Sequence, residues 1–193
     1  MKNHYFLAIP VAEEIGEYLQ RETIRLKESC SYRQWTDMHD YHITLFFFGP
    51  LPEEELEKVV GISTKISDSH TAFDVSISGI EGFGDKRHPR VVFAALAACP
   101  ELVKIQSELK EALAGHGFIP DNRPYHSHIT LAKGWLSGQA FDRRLEKLCS
   151  QSIGWKIDRI VLYAVMPGQI PHYNSIKIFS LGKSNEQIFP DIL

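Results

Sequence analysis

Cysteine is scarce in this chain: three in 193 residues, Cys30, Cys99 and Cys149, odd in number and without C-x-x-C spacing. That argues against a disulfide framework or a cysteine-based zinc site and predicts free thiols in a reducing compartment, so a cytoplasmic protein is expected. Long apolar runs are also missing. None approaches the roughly 20 residues of a membrane span. The stretch Tyr5 to Ala12 is broken by Pro10 and followed by Glu13 and Glu14, too short and too acidic at its end for a signal peptide. Neither a membrane partner nor a leader is expected. Positive charge is not in excess: 21 Lys+Arg against 24 Asp+Glu leave a net −3. That excludes a generally basic surface gripping nucleic acid by phosphate attraction alone. An anionic ligand would have to be held locally, and Lys86, Arg87, His88 and Arg90 form one basic cluster. No low-complexity segment or flexible linker divides the chain.

With 44% hydrophobic and 23% charged residues, the composition is that of an ordinary folded protein rather than a disordered or fibrous one. Burial of about 70% of the unfolded surface is expected at this length. Tyr5 to Ile9 reads as a strand, and Pro10 opens a helix-prone segment, Val11 to Lys27, in which Ile15, Leu19 and Leu26 share a face. Tyr41 to Phe48 is β-rich and ends at Gly49-Pro50. From Pro52 onward Leu56, Val59, Val60 and Ile66 repeat at helical spacing. Strands follow at Phe73 to Ile80 and Val91 to Leu96, flanking a polar loop from Glu81 to Arg90.

The pattern then restarts. Leu102, Ile105, Leu109 and Leu113 mark a helix that starts at Pro100 and stops near Gly115 or Gly117, the loop DNRPY follows, and His126 to Lys133 is a strand. A helix from about Gln139 to Cys149 and strands at Trp155 to Val165 and Tyr173 to Leu181 close the chain. The expectation is an α+β fold of duplicated αβ modules, roughly 1–96 and 97–193, forming two lobes of a single domain.

The string H-I-T-L occurs twice, at His42 to Leu45 and His128 to Leu131, 86 residues apart. Side chains alternate along a strand, so His42 and Thr44 share one face, as do His128 and Thr130. One His-x-Thr in a strand is ordinarily a packing arrangement; the duplication favours chemistry. Were the two lobes related by an approximate two-fold axis, two imidazoles and two hydroxyls would meet across a groove. Histidine titrates near 6.5, so one ring can accept a proton while the other donates one. Threonine hydroxyls can donate to non-bridging phosphoryl oxygens. In-line attack at phosphorus needs that set and no metal. His126 and His128 form an H-x-H pair with zinc-ligand potential, but no nearby Cys or H-x-x-x-H completes a ligand set. His4, His39, His70, His88, His116 and His172 lack a partner motif and read as surface or turn histidines.

The paired motifs HITLFFFG and HSHITLAKG, with HYFLAIPVAEEIGEYL, GFGDKRHPRVVFAAL and WKIDRIVLYAV, make the sequence resemble the 2H phosphoesterase superfamily over almost its whole length. Within it the resemblance is to the RNA 2′,3′-cyclic phosphodiesterases, historically called 2′-5′ RNA ligases. It implies a bilobal fold with antiparallel sheets around a central cleft, and hydrolysis of RNA 2′,3′-cyclic phosphate ends to 2′-phosphomonoesters without cofactor or metal. It also implies that His42 is the proton donor, His128 the proton acceptor, and that Thr44 and Thr130 hold the phosphate. The expected partners are RNA or oligonucleotide ends bearing the cyclic phosphate, bound by a monomer. The alternatives are 2′-5′ end-joining by the reverse reaction and a non-catalytic RNA- or nucleotide-binding module.

One departure is Lys133, where many members carry arginine five residues after the second motif histidine; lysine keeps the charge and loses the bidentate fork. Strict alternation points Lys133 away from His128 and Thr130, unless the chain bends at Gly134. The Lys86 to Arg90 loop is a candidate backbone contact, and Tyr125 and Phe48 are candidates for stacking on a base, with core packing the default for Phe48.

Overall fold

The computed structural model describes residues 3–138, 140–141 and 153–182. The helix expected from about Gln139 to Cys149 falls outside them apart from residues 140 and 141. In chain order the elements are β1 (His4–Pro10), α1 (Glu13–Ser29), β2 (Tyr32–Trp35), a one-turn 3-10 helix (Met38–Asp40), β3 (His42–Pro50), α2 (Glu53–Asp68), β4 (Phe73–Gly84), β5 (Pro89–Leu96), α3 (Pro100–Gly115), β6 (His128–Trp135), β7 (Gly154–Ile157), β8 (Arg159–Val165) and β9 (Tyr173–Ser180).

The helices form where apolar residues recur on one face. In α1 the buried face includes Ile15, Leu19 and Leu26, with Glu13 and Glu14 in the first turn and Lys27 in the last, each opposing the local end of the helix dipole. In α3 the buried face is Leu102, Ile105, Leu109 and Leu113, and Pro100 starts the helix where its missing N–H costs nothing. These faces cover the apolar side of the sheet, where Ile43, Leu45, Ile129 and Leu131 are buried. Gln106 on α3 reaches the Leu45 carbonyl, Nε2 donating at 3.4 Å.

All strand pairings are antiparallel. The order is β7-β4-β5-β6-β3-β1-β8-β9, with β2 added to β6. At the centre, β3 and β6 meet through one residue pair, Ile43 opposite Ile129. The sheet is thus two strand groups joined at a narrow seam, and the two HITL strands are the seam's walls. The groups are not the chain's halves divided at 96/97. Strands β4 and β5 pair with each other and with β7 and β6, whereas β8 and β9 join β1. Each group therefore borrows strands from the other part of the chain.

The single strand expected over Trp155 to Val165 is two strands, separated at Asp158: β7 closes the edge of β4, and β8 closes the edge of β1. Asp158 marks the crossing, and its carbonyl accepts from the Leu181 N–H at 2.7 Å.

Candidate active site

Antiparallel pairing at Ile43 and Ile129 sets His42 across from Thr130 and Thr44 across from His128. All four lie on the face opposite the buried Ile43 and Ile129 and are half-buried. The register places the two His-x-Thr pairs side by side on one face of the seam.

Each imidazole is held from behind in the same way. His42 Nδ1 lies 2.7 Å from the Asp40 carbonyl oxygen, and His128 Nδ1 lies 2.7 Å from the His126 carbonyl oxygen. A carbonyl can only accept, so each Nδ1 carries the proton. That fixes the Nε2 nitrogens as the working ones. Each ring also sits in an aromatic corner. Phe6 and Tyr173 approach His42 with centroids at 4.9 and 5.1 Å. Phe83 and Phe93 approach His128 at 5.0 and 5.2 Å. These rings exclude water and disfavour the imidazolium. Burial pushes His42 down from 6.5 to about 4, opposed by the Asp40 carbonyl and charge and reinforced by His128 and Lys133. Burial also lowers His128, opposed by the His126 carbonyl and reinforced by His126 and Arg123.

Lys133 is on the face of His128 and Thr130, contrary to strict alternation. Phe93 pairs with Thr130 but Val92 pairs with Ala132, so Leu131 is an extra residue in β6. Such a bulge reverses the facing of everything after it: Leu131 and Ala132 are both buried, and Lys133 emerges beside Thr130. The same irregularity lies at Leu45 in β3, where Ala8 pairs with Thr44 and Leu7 with Phe46. There Phe47 emerges, 55% exposed.

Tyr125 donates its hydroxyl to the Thr44 carbonyl at 3.2 Å, bracing the motif strand. Phe48 packs on Phe46 and Phe118 with centroids at 4.8 and 5.4 Å, the core role that was its default. The Lys86 to Arg90 loop turns on Asp85, whose Oδ1 accepts from the Arg87 and His88 N–H groups at 2.8 and 2.9 Å. His88 lies against Trp135, at the far end of β6 from His128. At the strand rise that is about 20 Å along the strand. His126 stacks beside His128 at 6.4 Å. Among the described residues, no cluster of three or more His, Cys, Asp or Glu could hold a metal ion, and no helix is long and apolar enough to cross a membrane.

Sequence reasoning missed the aromatic corners, Asp40 and His172. Of these, Phe83 and Phe93 lie inside the GFGDKRHPRVVFAAL segment. His172 is not a bystander: its backbone N–H donates to Asp40 Oδ1 and Oδ2 at 2.8 and 2.9 Å, and its Nδ1 donates to Oδ2 at 2.8 Å.

A family model described as the 2′-5′ RNA ligase superfamily matches residues 16–165. The chain is 29% identical over 181 residues to the RNA 2′,3′-cyclic phosphodiesterase of Bacillus subtilis, covering 94% of this chain and 98% of that protein. It is 28% identical over 181 residues to the protein of that name from Geobacillus stearothermophilus, covering 93% of this chain; the chain spans 58% of that relative's length. The fold is that of the crystal structure of Escherichia coli LigT complexed with 3′-AMP, with a TM-score of 0.77 at 19% identity, covering 95% of this chain and 100% of that one. The TT0787 protein of Thermus thermophilus matches with a TM-score of 0.74 at 22% identity, covering 92% of this chain and 97% of that one.

Proposed function

The chain belongs to the 2′-5′ RNA ligase superfamily, and from that premise and the facing His-x-Thr pairs we propose that it hydrolyses RNA 2′,3′-cyclic phosphate ends to 2′-phosphomonoesters. The observation that carries the reading is the seam itself: two Nε2 nitrogens with fixed protonation of their opposite edges, alternating with two hydroxyls.

His128 Nε2 takes a proton from water as the water oxygen bonds to phosphorus. The bond from phosphorus to the 3′-oxygen breaks, and His42 Nε2 delivers its proton to that oxygen. Thr44 and Thr130 donate to the non-bridging oxygens, whose charge grows in the transition state. The donor role of His42 and the acceptor role of His128 are those the family resemblance implies; the Asp40 charge beside His42 favours its protonated form, against burial and the charges of His128 and Lys133, which lower it. Lys133, brought to the face of His128 and Thr130 by the bulge, adds positive charge for the phosphate or the preceding backbone. Hydrolysis is preferred to end-joining because water outcompetes a ribose hydroxyl by concentration.

The test is incubation with a short RNA ending in a 2′,3′-cyclic phosphate in excess EDTA, with identification of the product's phosphate position. A 2′-phosphate is expected, and His42→Ala or His128→Ala should reduce turnover by about 10² to 10⁴-fold while the protein stays folded. A 3′-phosphate product, or full turnover in either variant, would refute the assignment. Binding without turnover would favour the non-catalytic module.

A further inference from the structure

Behind the two motif histidines the symmetry of the seam fails. The carbonyl that holds His128 belongs to His126, whose side chain is exposed. The carbonyl that holds His42 belongs to Asp40, a residue only 3% exposed. Both Asp40 carboxylate oxygens accept from the His172 N–H, and Oδ2 also accepts from the His172 ring. The next residue, Tyr173, sets its ring edge-on to His42 at an interplanar angle of 89°. Residues 172 and 173 thus grip the carboxylate behind His42 and the face of His42 at once, from the far end of the sequence.

We propose that Asp40, clamped by His172, is a positioning residue that orients His42 for proton donation. A carboxylate without His172 would sit buried and under-bonded, which is costly; with it, the turn Met38–Asp40 and its carbonyl are fixed. The inference rests on the proposed two-histidine chemistry. The titratable and charged groups around the pair are His128 and Lys133 from β6, Tyr163 from β8, Tyr173 from β9, and Asp37 with His39 in the same turn.

The test is Asp40→Asn, which keeps the volume and an oxygen for the His172 N–H but removes the charge. We expect kcat to fall roughly 10- to 100-fold, the scale for partners that orient a working histidine, with KM within about two-fold. On the sulfate-loaded protein, the His42 imidazole should titrate about one pH unit lower than in the parent, with His128 unmoved. His172→Ala, which keeps the backbone bond, should lower kcat less, and His172→Gln should restore part of the loss. In a His42→Ala background, Asp40→Asn should cost nothing further. Unchanged kcat, an unmoved His42 titration, or an undiminished loss in the His42→Ala background would overturn the proposal. Failure of the two-histidine reading is separately visible as full activity of His42→Ala itself.

Discussion

Anion binding should recharge His42, and the size of the effect follows from its surroundings. Burial holds this imidazole near 4 against an ordinary 6.5, a penalty of about 3 kcal/mol at 1.36 kcal/mol per unit. A unit negative charge about 4 Å away, at an effective dielectric of about 20, returns about 4 kcal/mol. One charge of a bound anion therefore suffices to bring the group back to its ordinary range. Sulfate is the suitable probe, since it mimics the phosphoryl oxygens without titrating between pH 5 and 8. At pH 5.5 the fraction of protonated His42 should rise from about 3% to about 90% on saturation. By linkage, sulfate should bind about ten-fold more weakly at pH 7.5 than at 5.5 through this group alone. The assay pairs NMR titration of the imidazoles, with and without sulfate, with calorimetry at both pH values. His128→Ala isolates the His42 contribution and His42→Ala removes it. The reasoning fails if His42 titrates identically in free and saturated protein, or if affinity is flat with pH in the His128→Ala variant.

Two further outcomes are expected. Thr44→Ala and Thr130→Ala should each lower kcat by about 10² to 10³-fold, the cost of removing one preorganised donor from an oxyanion; single-turnover kinetics would measure this, and a loss confined to KM would contradict it. Lys133→Ala should raise KM roughly five-fold, about 1 kcal/mol for a partly solvated charge contact, and flatten its dependence on salt, while Lys133→Arg preserves both. A salt response identical to that of the parent would place Lys133 outside the substrate's field.

The chemistry was legible because it is written locally and twice. Within a strand, alternation alone puts His42 with Thr44 and His128 with Thr130. Most helices and strands were legible for the same reason, each carrying its own periodicity. What escaped was non-local or disguised. Leu131 is apolar at a position where an apolar residue is expected, so nothing in the letters reveals that it is a bulge turning Lys133 round. The short β2 carries Arg33 and Gln34, and only pairing with β6 makes it a strand. Asp40 and His172 stand 132 positions apart and lack any spacing signature. The carbonyls that fix the imidazole tautomers belong to the backbone and have no residue type to read.

The exchange of strands between the two groups bears on how the protein is made. As the chain leaves the ribosome, β1 and β3 can pair early, but the outer flank of β1 stays open until Arg159 to Val165 have been synthesised. The apolar run Phe6 to Ile9, buried in the folded protein, waits with one unpaired edge until β8 has been made. Closure over so long a loop is entropically slow and leaves a sticky strand exposed meanwhile. A chain cut short at Asp158 would contain both histidines in full, yet the group bearing His42 would lack its last two strands, together with the residue that grips Asp40. Completion of the first histidine's surroundings therefore waits on His172 and β9, more than a hundred residues further along the chain.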